Sequence, residues 1–234
     1  MRRALRTGWT GPTSLPVRSA QPYVPGVTVF NSVDAPQASR PQPAVTTTRT
    51  WWLVVLAGGV LGIVGTVWQT VERLSVLATP GEKSVCDINA VISCGSVYER
   101  WQSSALGVPN SLIGLPVFAV LASGALAALL GARLSGRYIA TLWGLALFMT
   151  VFVFWYMEQT AFTIGALCLF CTASMVNIML AGIGLTRVAD AEGALGHGAV
   201  GRTVRRLVDG WWDLVLWFTL VAVVAAMLVI GLVV

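Results

Sequence analysis

The chain has 234 residues, 56% of them hydrophobic and only 11% charged, with a mean hydropathy of +0.77. Soluble domains average roughly 45–50% apolar and 25% charged residues, so this composition excludes an ordinary water-soluble globule. The net charge of +5 would suit nucleic acid or an acidic membrane surface, and the placement of the charges selects the second.

Residues 1–50 carry seven of the ten prolines, have no acidic residue before Asp34 and show no apolar periodicity. This composition predicts a disordered cytoplasmic tail. A cleaved Arg-rich leader is the competing reading, but no apolar stretch of about 7–15 residues precedes Trp51. Five apolar blocks follow, at Trp51–Val71, Ser111–Leu130, Tyr138–Met157, Phe162–Thr186 and Leu214–Val234. Each approaches the ~20 residues needed to cross a bilayer as a helix, so the expected fold class is all-α and integral to a membrane. Trp51 and Trp52 would mark the interfacial belt of the first span, and Trp211, Trp212 and Trp217 that of the fifth.

Between the first two spans the loop 72–110 is too long for a tight turn, and Ser93–Ser104 is expected to form a short helix on the membrane. Residues 187–213, rich in Gly, Ala and Arg, read as a cytosolic connector whose Arg205 and Arg206 meet anionic headgroups. With five alternating spans, twelve of the fifteen basic residues fall on one side and only Arg73, Lys83 and Arg100 on the other. Short cytoplasmic segments carry the excess of Lys and Arg. The N-terminus is therefore expected in the cytoplasm, with the loop 72–110 and the C-terminus outside.

That topology gives the four cysteines a common address. Cys86 and Cys94 lie in the outer loop, while Cys168 and Cys171 lie at the outer end of the fourth span, so both pairs face the oxidising compartment. In Cys168-Leu169-Phe170-Cys171 the thiols share a helix face, and a helix N-terminus favours thiolate. Phe162, Ile164, Leu167 and Phe170 supply apolar surroundings suited to a flat, lipid-dissolved carrier such as a quinone. The wider spacing of Cys86 and Cys94 fits a mobile loop, able to take electrons from a soluble partner and pass them inward through a mixed disulfide such as Cys94 with Cys168. Two static disulfides in a membrane scaffold, or a tetrahedral zinc centre, are the competing readings. The only histidine, His197, lies in the connector, so no metal site is expected. An outward-running reductase would need cysteines reachable from inside, and none is present.

Over roughly Trp51–Thr186 the chain resembles the vitamin K epoxide reductase family, and in particular bacterial members that reoxidise DsbA-like proteins. The resemblance rests on an ordered set: Cys86-Asp87, Ile92-Ser93-Cys94, then Tyr98 and Trp101, Asn110-Ser111-Leu112-Ile113-Gly114 opening the second span, and Cys168-x-x-Cys171. The DsbB type of oxidase places its Cys-x-x-Cys first. The resemblance implies a transmembrane four-helix bundle over 51–186 around a menaquinone-like quinone; the connector 187–213 and a fifth helix at 214–234 follow from the apolar blocks and lie beyond it. It implies that Cys171 faces the quinone ring with Cys168 as its exchange partner, that Cys94 relays and Cys86 meets the thioredoxin-like substrate protein, and that Asn110 hydrogen-bonds a quinone carbonyl. The expected activity is quinone-dependent disulfide generation at a bacterial cell membrane. The fifth span and the Arg-rich, Lys-poor composition are similar to actinobacterial members. Met175 stands where animal members carry a tyrosine, which leaves epoxide reduction open. The family's loop serine has three candidates here, Ser96, Ser103 and Ser104.

Overall fold

The computed structural model describes residues 45–79, 81 and 83–233, with side chains from residue 48 to 232. The expected tail over 1–50 lies outside the described residues as far as 44, and residues 45–50 are the first turns of a helix. Helix α1 spans Val45–Ala78, α2 Cys94–Tyr98, α3 Asn110–Leu129, α4 Gly136–Gln159, α5 Leu169–Ala191, α6 Ala199–Asp209 and α7 Trp212–Val233. Five of them, α1, α3, α4, α5 and α7, are long and apolar enough to cross a bilayer. At about 1.5 Å per residue, the 34 residues of α1 outrun the ~30 Å hydrocarbon core. Its last turns carry Glu72 and Arg73 out to the cysteine loop.

Helix α1 packs between α3 and α5, and α4 closes on α5. Close approach needs small residues, because lipid tails are as apolar as a helix surface and association in a bilayer depends on packing. A Cβ on Gly58 would lie 2.7 Å from the Asn177 carbonyl oxygen of α5, and one on Gly59 2.9 Å from Ala122 of α3. Val55, Leu121, Leu142, Ile178 and Leu185 fill the centre, essentially without exposure.

Helix α4 does not stop where its apolar run suggested. It continues as a π turn over Thr160–Ile164 and ends at Gly165, which adopts φ 71°, a left-handed conformation that Gly takes without steric cost. The chain then runs extended to Cys168, the N-cap of α5. Phe162 and Ile164 therefore finish the third span, and the fourth starts at Leu169 instead of Phe162.

Helix α7 lies against the π turn, α4, α5 and α6. Its N-terminal end is held by a buried ion pair: Arg187 of α5 donates through Nε and Nη2 to the two Asp213 carboxylate oxygens, both at 2.7 Å, with exposures of 8% and 2%. The guanidinium also faces the rings of Trp51 at 5.1 Å and Trp211 at 4.3 Å. Of the tryptophans expected in interfacial belts, Trp52 and Trp217 are instead buried in the protein, Trp217 against Gly182, while Trp211 and Trp212 are both exposed. In the connector, α6 is a regular helix, and its Arg205 faces Asp190 at 3.5 Å.

Candidate functional site

The loop between α1 and α3 is a folded lid, assembled from the residues around its two cysteines. Cys86 and Cys94 are disulfide-bonded, with Cα atoms 5.6 Å apart. Asp87 ties the segment together, accepting from the Ser84 and Gly95 backbone N–H groups at 3.0 and 2.9 Å and from the Ser93 hydroxyl at 3.0 Å. Burial pushes this carboxyl up, but the donors from Gly95, Ser93, Ser84 and Cys94 outweigh it and hold the group below its ordinary value of 3.8. Glu72 of α1 accepts from Ser84 Oγ and Val85 N. Arg73 reaches across to the Tyr98 and Ser103 carbonyls and to Ser104 Oγ. Ser93 caps α2, accepting from the Ser96 N–H.

A short parallel bridge docks this lid on the bundle. Leu167 N–H donates to the Val91 carbonyl at 2.6 Å, and Ser93 N–H donates to the Leu167 carbonyl at 3.1 Å. These bonds involve residues immediately ahead of Cys94 and Cys168, so they set the two sulfurs side by side at 3.5 Å. Cys168 Sγ in turn lies 2.6 Å from Cys171 Sγ and accepts from the Cys171 N–H as the helix cap. All four cysteines are buried. The loop expected to be mobile is docked beside Cys168 by backbone hydrogen bonds, which its spacing alone could not reveal.

Beyond Cys171 the bundle opens into a cavity of about 620 Å³, counting its open side. Its walls are mostly apolar, with Phe118 and Val117 from α3, Phe152, Val153 and Met157 from α4 and Ile178 from α5. None of Phe162, Ile164, Leu167 or Phe170, the expected apolar surroundings of the pair, lines it. Phe162 is 54% exposed, and Phe170 packs on Trp68 across a 6.0 Å centroid separation. Ile164 and Phe170 instead pack against the buried cluster that holds Cys168 and Cys171.

Asn110 opens α3 at the cavity rim, where its amide nitrogen donates to the Gln102 carbonyl at 2.8 Å. Its Oδ1 is buried without a partner among the described residues, as is Ser174 Oγ, and both residues line the cavity. Orphaned polar atoms on an apolar wall are the mark of a ligand that supplies the missing bonds. Of the three serine candidates only Ser103 reaches the cavity. Ser96 pairs with Ser93, and Ser104 with Arg73.

Sequence reasoning missed Gln69 and Tyr156. Gln69 Nε2 donates to Cys171 Sγ at 3.3 Å, and the same sulfur donates to Tyr156 Oη at 3.8 Å. Each is a polar side chain inside an apolar span, a rare placement that is costly unless a partner or a function accounts for it.

A search of curated proteins found no match to this chain. A family model described as the vitamin K epoxide reductase family matches residues 52–186, which is more than half of the 234 residues. The matched stretch contains all four cysteines and the cavity-lining residues. With its five bilayer-length helices, the chain is a multi-pass membrane oxidoreductase and belongs to the vitamin K epoxide reductase family.

Proposed function

We propose that this protein generates disulfides in extracytoplasmic proteins, reoxidising a DsbA-like dithiol and passing the electrons to a membrane quinone. The observation that carries this reading is the line of sulfurs, from the Cys86–Cys94 disulfide across 3.5 Å to Cys168 and 2.6 Å to Cys171, ending at the cavity wall. The partner's thiolate attacks Cys86. Cys94 then exchanges with Cys168, and the Cys168–Cys171 dithiol hands on two electrons as it closes to a disulfide. Exchange of this kind needs an attacking thiolate in reach of the next sulfur, which the docked lid provides without a large movement.

The cavity residues fit a quinone. Apolar side chains suit a flat ring; the orphaned Ser174 hydroxyl can donate to a quinone carbonyl or accept from a quinol hydroxyl, the orphaned Asn110 Oδ1 can accept from a quinol hydroxyl, and Asn110 Nδ2 keeps a second N–H beside its bond to Gln102. When bound there, a menaquinone-like molecule supplies the electron sink. Transfer is downhill when the acceptor's potential exceeds the partner's, each 30 mV being worth about 1.4 kcal/mol for two electrons. The Arg and Lys asymmetry supports an inner N-terminus and outward-facing cysteines, and the resemblance to members that reoxidise DsbA-like proteins supports a bacterial cell membrane.

The test is quinone consumption by purified protein given a reduced DsbA-like partner, with Cys171→Ala as comparison. Turnover in the wild type that is lost from a folded Cys171→Ala protein is the expected result. Absence of turnover with both naphthoquinones and ubiquinones would overturn the proposal.

A further inference from the structure

Tyr156 projects from the last turns of α4, is 6% exposed, and meets Cys171 Sγ with its hydroxyl at 3.8 Å. Gln69 donates to the same sulfur at 3.3 Å. Both side chains line the cavity beyond Cys171. Phe at 156 would fill the same space beside Trp155, whose ring lies 6.5 Å away, so packing does not require the hydroxyl.

Oxidising the dithiol removes two electrons and two protons, and the Tyr156 hydroxyl is the oxygen the structure sets against Cys171 Sγ. A phenol can accept through its oxygen while donating its own hydrogen. We propose that Tyr156 is the proton relay of this site, a catalytic residue standing between Cys171 and a quinone in the cavity; this rests on the quinone reading above. The Cys168–Cys171 S–S bond forms as both S–H bonds break, and the electron pair goes to the acceptor. The Cys171 proton passes to the Tyr156 oxygen while the Tyr156 hydroxyl proton passes to the nearer acceptor oxygen, leaving the phenol unchanged. The Cys168 proton leaves on the side of the outer loop, and a second proton reaches the farther acceptor oxygen from water at the cavity mouth. One dithiol is oxidised, one quinone is reduced to the quinol, and two protons balance the two electrons.

The experiment compares wild type with Tyr156→Phe as the purified, pre-reduced full chain mixed with menadione. Three quantities are read: menadione reduction by stopped flow in H2O and D2O, menadione binding by tryptophan quenching, and exchange between the two cysteine pairs by thiol trapping and mass spectrometry. A missing general acid slows its step by on the order of 10²–10⁴-fold. The expected result is a loss of that size in menadione reduction, with binding and cysteine exchange unchanged and a solvent isotope effect on reduction in the wild type. Reduction at the wild-type rate in Tyr156→Phe overturns the relay. So does a loss matched by an equal loss of binding or of exchange, which would make Tyr156 structural. A wild type that exchanges disulfides but reduces no menadione overturns the quinone reading as well, and is recognised because the two proteins then behave alike.

Discussion

The Arg187–Asp213 pair is a demanding test of how the fifth helix is held. Asp213→Ala would leave the guanidinium buried at 8% exposure with two 2.7 Å bonds removed. Removing one partner of a buried ion pair costs about 3–5 kcal/mol, mostly the penalty of an uncompensated charge. The rings of Trp51 and Trp211 remain, and each desolvated cation–π contact retains up to about 2 kcal/mol, so the lower end, about 3 kcal/mol, is expected. That corresponds to a shift on the order of 10²-fold in the folding equilibrium, readable as an earlier transition in mixed-micelle denaturation. Replacing both partners, as Arg187→Met with Asp213→Leu, is expected to return stability to near the wild type, because a well-packed apolar pair often substitutes for an ionic one. A loss under about 1 kcal/mol in Asp213→Ala, or a double variant as unstable as the single one, would refute the argument.

Two further predictions concern the lid. A Cβ at Gly95 would lie 2.7 Å from Asp87 Oδ2, so Gly95→Ala displaces the carboxylate from its donors. A loss of about 1 kcal/mol of lid stability is expected, read as faster reduction of Cys86–Cys94 by dithiothreitol; an unchanged rate would contradict the clamp. The Asp87 carboxyl is held below its ordinary 3.8, so its contribution is complete above about pH 4 and is lost as the pH falls through the lower folded-state value. Hydrogen exchange at Ser84 and Gly95, relative to a distant core amide, is expected to quicken on acidification below that point in the wild type. Asp87→Asn should show no such step.

The five spans were legible because absence of charge over a bilayer's thickness is a one-dimensional signal. Convergence of the cysteines was legible for the same reason, since alternating spans put both pairs on one face. The junction at 160–168 was hidden because Phe162, Ile164 and Leu167 continue the apolar pattern through it. What ends α4 is a left-handed Gly165 and a backbone bridge to Ile92, 75 residues away in the chain. Arg187 looked like a topology determinant because its counter-charge, Asp213, is 26 positions on. Gln69 and Tyr156 were visible as polar interruptions of apolar spans, but only the folded bundle shows that they share one sulfur.

The Cys86–Cys94 disulfide is itself covered, Cys86 being 4% and Cys94 0% exposed. A nucleophile must approach along the sulfur–sulfur axis, so stray small thiols find no target until the lid parts. On the proposed function the relay would be insulated like a wire in its sheath: current would enter where a cognate protein peels back the covering, and a reducing environment would not by itself short the circuit.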